Sequence, residues 1–229
     1  MGKYRENSKN AKESNEKLGL GYIDLYLLHA PGDAPARGET WRVLEELQES
    51  GILKDIGVSN FGEAHLEKLL KTAKVKPAVN QVELHPWLTR TSLLKYCKEK
   101  GILLEAYSPL AKAAKLADPT LLEIANEVHA SPAQVLVAFS LANDLITLPE
   151  SVNFDRQKAN LEAANVKVTP AQIERLAALD EYLVTGWDRS RTTPCKRAEG
   201  SGLHDLHLQR TCIYVHIVDL HEKKEQECC

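Results

Sequence analysis

The chain has 229 residues, of which 43% are apolar and 27% charged, and its formal net charge is −3. That length and balance suit one full-sized core, or a domain with a tail, and exclude a small scaffold that needs staples. Lysines and arginines are scattered along the predicted helices instead of gathered in a stripe, so a nucleic-acid partner is not expected.

The opening "MGKYRENSKNAKESNEK" reads as a polar lead-in. It lacks the apolar stretch of a secretory signal, and Glu6 stands where a myristoylation motif needs Ser or Thr. No later segment approaches a membrane span, so the expected setting is the cytoplasm with no membrane partner. "IDLYLLHAP" then gives an almost continuous apolar run closed by His29 and a proline, which reads as a strand of a parallel sheet covered by helices on both faces. Strands are predicted at Tyr22–Leu28, Asp55–Val58, Ala78–Leu84, Leu103–Tyr107 and Leu145–Leu148, each followed by a segment of helical period.

The helix punctuation is legible. Asp118, Ser131 and Thr169 each precede a proline at the first helical position, and "SPAQ" and "TPAQ" add a capping-box glutamine. Gly51 and Gly101 close helices and lead directly into strands. Repeated βα units imply a parallel sheet, either a barrel or a doubly wound open sheet. "GLG" at Gly19–Gly21 precedes a strand instead of following one, and neither GxGxxG nor a P-loop occurs, so the Rossmann option lacks its signature.

Polar residues collect where the strands end: His29, Ser59 and Asn60, then Gln81, Glu83 and His85, then Tyr107 and Ser108, then Glu150 and Ser151. In a barrel those ends converge on one rim that carries the active site. Each has a plainer explanation alone; "SNF", for instance, could cap the following helix through Asn60. Five polar groups on five successive strands favour a site.

"LGLGYIDLYLLHAP", "IGVSNF", "PAVNQVELHPW", "EAYSPL" and "LPESVNFDRQKAN", in that order and followed by "LDEYLVTGWD", resemble successive signatures of the aldo-keto reductase family over about Leu18 to Asp188. The resemblance implies a TIM barrel that binds NADP(H) or NAD(H) without a Rossmann domain and reduces small aldehydes or ketones by hydride transfer. It implies a partial (β/α)8 barrel here, with five parallel strands corresponding to strands 4–8 of the family barrel, a domain over residues 1–188 and a divergent, poorly ordered tail over 189–229.

The same resemblance assigns positions. His29 matches the histidine that orients the substrate carbonyl oxygen. Ser59, Asn60 and Gln81 match the residues that hold the nicotinamide carboxamide, and Tyr107 the aromatic ring stacked beneath the nicotinamide. Ser108 and Leu110 fall where the pyrophosphate is wrapped, and Ser151, Val152, Arg156 and Asn160 where the adenosine end is gripped. Glu150 stands where the family commonly has a lysine for the 2′-phosphate of NADPH, which argues for NAD(H). The family's proton-donating tyrosine, with its lysine and aspartate, precedes the histidine strand. An N-terminally truncated reductase with impaired activity, open to pairing with another polypeptide that completes its barrel, is therefore expected; the alternatives are a catalytically inactive nucleotide-binding or regulatory pseudoenzyme that pairs with a complete barrel, or a non-functional truncated product that does not fold stably alone. Three absent strands would open two sheet edges. Losing even five backbone hydrogen bonds at ~1–3 kcal/mol each would rival a domain's ~5–15 kcal/mol.

From Arg189 the composition changes. "RSRTTPCKRAEGSG" reads as linker, and Ile213–Val218 as one β-branched run suited to an added strand or to aggregation. Cys195, Cys212, Cys228 and Cys229 lie here with His204, His207, His216 and His221, but their spacing matches no zinc pattern, so no metal is expected. "QECC" fails the prenylation rule.

Overall fold

The structure, a computed structural model, describes residues 2–186 and Ser190. The expectations placed on the tail, including its linker, its β-branched run and its cysteines and histidines, lie outside the described residues.

The polar lead-in is a helix, which corrects its reading as a mere approach to the first strand: α1 runs Gly2–Leu18. Nothing in this stretch breaks a helix, and Lys9 and Glu13 pair at 3.4 Å one turn apart. It packs against α2 (Ala34–Glu49), and Ala11 and Ser14 are buried. Small residues let two helices approach closely without the broad apolar stripe by which an amphipathic helix is usually recognised. Gly19, at φ +68°, ends α1.

Five strands follow: β1 (Ile23–Leu28), β2 (Leu53–Ser59), β3 (Val79–Glu83), β4 (Leu103–Tyr107) and β5 (Ile146–Leu148). All neighbours are parallel and the spatial order is the sequence order, so the sheet curls into a half-barrel. Helices alternate with the strands: α2 after β1, α3 (Glu63–Leu70) after β2, α4 (Thr91–Lys100) after β3, α5 (Pro119–Glu127) and α6 (Pro132–Ala142) after β4, and α7 (Phe154–Glu162) and α8 (Pro170–Ala177) after β5. The predicted caps are in place. Asp118 accepts from the amides of Thr120 and Leu121, Ser131 and Thr169 form capping boxes with Gln134 and Gln172, and Gly101 closes α4 at φ +62°.

The core lies between the outer face of the sheet and the helices, with Trp41, Leu44, Val58, Val82, Leu104, Leu121, Val135 and Phe139 all buried. Buried polar groups there are matched: Trp41 Nε1 donates to Val75 O at 3.0 Å, and the Glu45 carboxyl accepts from the amides of Lys74 and Val75. Gly57 allows β2 to sit close to its neighbours, since a Cβ there would lie 2.6 Å from Leu27 Cδ2 and 2.9 Å from Val79 O. The inner face is less covered. Leu103, which shares that face with Glu105 and Tyr107 by alternation, is 56% exposed among the described residues.

Candidate active site at the carboxyl rim

Register sets the site. Ser59 pairs with Gln81, Gln81 with Glu105, Glu83 with Tyr107, and Tyr107 with Leu148, so these side chains share the inner face and the chain leaves β5 toward Glu150 directly beside Tyr107. Leu28 pairs with Val58, which brings His29, just past the end of β1, beside Ser59.

The strand buried along its whole length is also the most polar one. All five residues of β3, "VNQVE", are buried, and Asn80, Gln81 and Glu83 are each at most 2% exposed. Burying an amide or a carboxyl without partners costs several kcal/mol, so each needs an assigned partner. Asn80 faces the helices, where its amide donates to Phe61 O at 2.9 Å and its oxygen receives the Phe61 amide at 3.3 Å. Gln81 Nε2 donates to Glu105 Oε2 at 2.6 Å. Its carbonyl oxygen is the part of that amide with no donor assigned to it among the described residues, which suits it to a ligand N–H.

Asn60 joins three strands. It sits at φ +60°, a left-handed conformation that asparagine tolerates better than most residues. Its Nδ2 donates to His29 O and to Ser59 Oγ, both at 3.1 Å, and its Oδ1 accepts the Tyr107 hydroxyl at 2.9 Å. Ser59 Oγ in turn donates to Gln81 O at 2.9 Å. The plain alternative for Asn60 fails: α3 is capped by Gly62, and the Asn60 side chain is committed to the rim. His29, Ser59, Asn60, Gln81 and Tyr107 thus form one connected row.

The other predicted residues form a second group. Ser108, at φ +50°, starts the turn after β4, which continues through Ala111, Lys112 and Ala113, all at positive φ. Left-handed residues other than glycine store strain, typical of loops shaped for a function. Leu110 packs against the core. On the far side, Glu150 and Arg156 are exposed, Val152 is 95% exposed, and Ser151 and Asn160 are half-buried. α7 has no buried residue; it is started by Asn153, which accepts the Arg156 amide at 3.0 Å, while Gln157 Nε2 donates to Ser151 O at 2.6 Å. No hydrogen bond between described residues links this group to the Asn60 row.

Glu105 was not singled out in the sequence, although an acidic residue inside "ILLEAY" is the signal that would have found it. Glu83 was noted only as a polar rim residue. Burial alone would push its carboxyl up, but hydrogen bonds from His85, from the hydroxyl and amide of Thr185 and from the amide of Gly186 outweigh that and hold it at about 2. Burial pushes the Cys97 thiol up to about 11, which leaves it a packed apolar side chain and not a nucleophile.

Comparison with known proteins finds similar sequences and similar folds. Residues 2–181 match the aldo/keto reductase family. The chain is 41% identical to the uncharacterized oxidoreductase YJR096W of Saccharomyces cerevisiae, over 76% of this chain and 63% of that protein. It is 42% identical to the glyoxal reductase of Bacillus subtilis, over 74% of this chain and 61% of that protein. The chain therefore spans about three fifths of the length of these relatives. Among solved structures, the Bombyx mori aldo-keto reductase in complex with NADP superposes with a TM-score of 0.75 at 28% identity, covering 80% of this chain and 65% of that one.

Proposed function

The chain belongs to the aldo/keto reductase family, and from that premise we propose that its carboxyl rim binds NADP(H) or NAD(H) and serves reduction of small aldehydes or ketones to alcohols. The observation that carries this reading is the connected polar row at the strand ends, in which the side chains of Ser59, Asn60 and Gln81 are buried although apolar residues could fill their places at lower cost if only packing were required. Bound nucleotide supplies the hydride. Ser59, Asn60 and Gln81 hold the carboxamide: the second hydrogen of Gln81 Nε2 offers a donor, and the Gln81 carbonyl oxygen with the remaining lone pairs of Ser59 Oγ and Asn60 Oδ1 offers acceptors. The Tyr107 ring, steadied by its bond to Asn60, provides the stacking surface. Ser108 and Leu110 border the pyrophosphate, and Ser151, Val152, Arg156 and Asn160 take the adenosine end, with the guanidinium of Arg156 suited to both stacking and phosphate pairing. His29 orients the carbonyl oxygen where negative charge develops.

A second reading is nucleotide binding with little turnover, or turnover only in company with a second polypeptide. It is favoured by the sheet itself, whose β1 and β5 are edges among the described residues. The family resemblance places the proton-donating tyrosine and its partners on strands ahead of the histidine strand. Positioned acid catalysis is commonly worth ~10²–10⁴ in rate, so nucleotide affinity should outlast turnover when the chain acts alone. Titration of the purified protein with NADPH and NADH by tryptophan fluorescence, followed by assay with nitrobenzaldehyde, separates these readings. Saturable binding with turnover supports the reductase and binding alone supports the second reading. Absence of binding by either nucleotide in a folded protein overturns both.

A further inference from the structure

After α8 the chain crosses back over the carboxyl rim as a strap; Glu181 pairs with Lys115 at 2.7 Å, and the ties that follow lead to residues 83–90. Thr89 donates through its hydroxyl to Asp180 Oδ2, and Trp87 O accepts the amides of Glu181 at 3.3 Å and Leu183 at 2.9 Å. The carboxylate of Glu83 then accepts the Thr185 amide at 2.8 Å, the Thr185 hydroxyl, and the Gly186 amide at 3.0 Å. Arg90 braces the same corner by donating from Nε to Glu83 O at 2.9 Å. At Gly186 the strap meets the candidate site: a Cβ there would lie 3.3 Å from Glu83 Oε2 and 3.7 Å from Tyr107 Cε2. Tyr107 is the ring whose hydroxyl bonds Asn60, and Glu83 lies two residues beyond Gln81 on the same face of β3.

The chemistry of this corner explains why a carboxylate occupies it. Glu83 is fully buried, and an ionised carboxyl out of water is tolerated only when its lone pairs are matched. Three of its donors come from the strap, and the fourth partner, His85 Nε2, stands at 3.4 Å. Lifting the strap leaves a buried charge facing one distant ring nitrogen, so the charge itself favours the closed strap. None of the roles assigned above uses Glu83.

We propose that Glu83 is a positioning residue that clamps the Asp180–Gly186 strap against Tyr107, making the strap one wall of the nucleotide pocket and its release the step that admits and frees nucleotide. The gating half of this proposal rests on the reading of the rim as a nucleotide site; the clamping half does not. The test compares the unaltered protein with Glu83→Gln and Thr185→Val, the latter leaving the strand untouched. Amide hydrogen exchange at Thr185 and Gly186 and the chemical shifts of the Tyr107 ring report the clamp, and stopped-flow displacement of bound NADPH reports the gate. In Glu83→Gln both amides should exchange roughly tenfold faster or more, as expected for loss of hydrogen bonds to a charged group. The Leu183 amide should keep its protection and the Tyr107 ring signals should move. NADPH should dissociate roughly tenfold faster, and it should associate faster as well, because the same opening admits it. Thr185→Val should shift each readout in the same direction by less, and it decides alone if Glu83→Gln does not fold. Unaltered exchange at both amides overturns the clamp. Loosened amides with unaltered NADPH dissociation overturn the gate. A folded unaltered protein that binds neither nucleotide overturns the gate together with the nucleotide reading, while exchange still decides the clamp.

Discussion

On the β2–β4 side of the rim the candidate side chains are engaged with one another across strands, whereas on the β5–α7 side Glu150 and Val152 in the connecting loop and Arg156 on α7, a helix that buries nothing, stand in solvent. Both sides carry residues assigned to one ligand, so the difference concerns when order is established. The Asn60 row is built during folding and presents fixed dipoles, the arrangement that costs least to reorganise when charge develops. The α7 side must gather exposed side chains around whatever it binds, and so adds affinity only after side-chain entropy is lost. Substitutions on the first side should therefore change stability and binding together, and on the second binding alone.

The largest effect is expected at Asn60. Replacement by Leu leaves His29 O, Ser59 Oγ and the Tyr107 hydroxyl without their partner and puts a branched side chain at φ +60°. Urea unfolding should show a loss of about 2–4 kcal/mol, and nucleotide titration a loss of affinity in the fraction that folds. Unchanged stability would show that the row is not integral to the fold.

Acid comes next. The Glu83 carboxyl is held at about 2, below the ordinary 4.5. A carboxyl depressed on folding contributes its stability fully above the unfolded value and loses it as pH falls from there through the folded value, so the window lies between about 4.5 and 2. Urea unfolding at about pH 6 and about pH 3 should show the unaltered protein losing about 1–3 kcal/mol more than Glu83→Gln over that interval. An equal loss in both would assign the acid sensitivity to other carboxyls.

Arg156 offers the sharpest contrast. Its guanidinium is exposed, and only its backbone amide takes part in starting α7. Arg156→Ala should leave unfolding free energy within about 0.5 kcal/mol of the original while weakening nucleotide binding roughly tenfold, the scale of one charge-assisted phosphate contact. A stability loss like that at Asn60 would erase the distinction between the two sides.

What the sequence disclosed and what it hid divide along the range of the forces involved. β1 stood out as an apolar run, Gly51 and Gly101 marked the entries to β2 and β4, and Asp118, Ser131 and Thr169 announced their helices because a cap acts within three residues. α1 was missed because its described buried contacts are Ala11 and Ser14, too small to draw an apolar stripe. Asn60 looked like a local cap because its true partners, His29 and Tyr107, lie 31 and 47 residues away. Thr185 and Gly186 meet Glu83 across 102 and 103 residues, a contact that no local pattern encodes. Where such a pairing buries a charge, the visible trace is an acidic residue inside a run that ought to be apolar, as in "VNQVEL" and "ILLEAY".

The smallest expected effect tests the open side most directly. Glu150 is exposed just beyond β5, where its carboxylate would repel a 2′-phosphate and accept a hydrogen bond from a free ribose hydroxyl. Glu150→Lys reverses that charge without disturbing packing, so stability should hold and NADPH should gain on NADH. Because the position is wet, the gain should be modest, about tenfold or less, and it should shrink between about 0.05 M and about 0.5 M salt as screening shortens the reach of the charge. A salt-sensitive gain places the ribose end of the nucleotide beside Glu150 and gives the β5–α7 side its specificity role. An unchanged NADPH/NADH ratio at low salt means that the Glu150 carboxylate faces bulk water, and that discrimination between the nucleotides, if this rim makes any, comes from Arg156 and Asn160 instead.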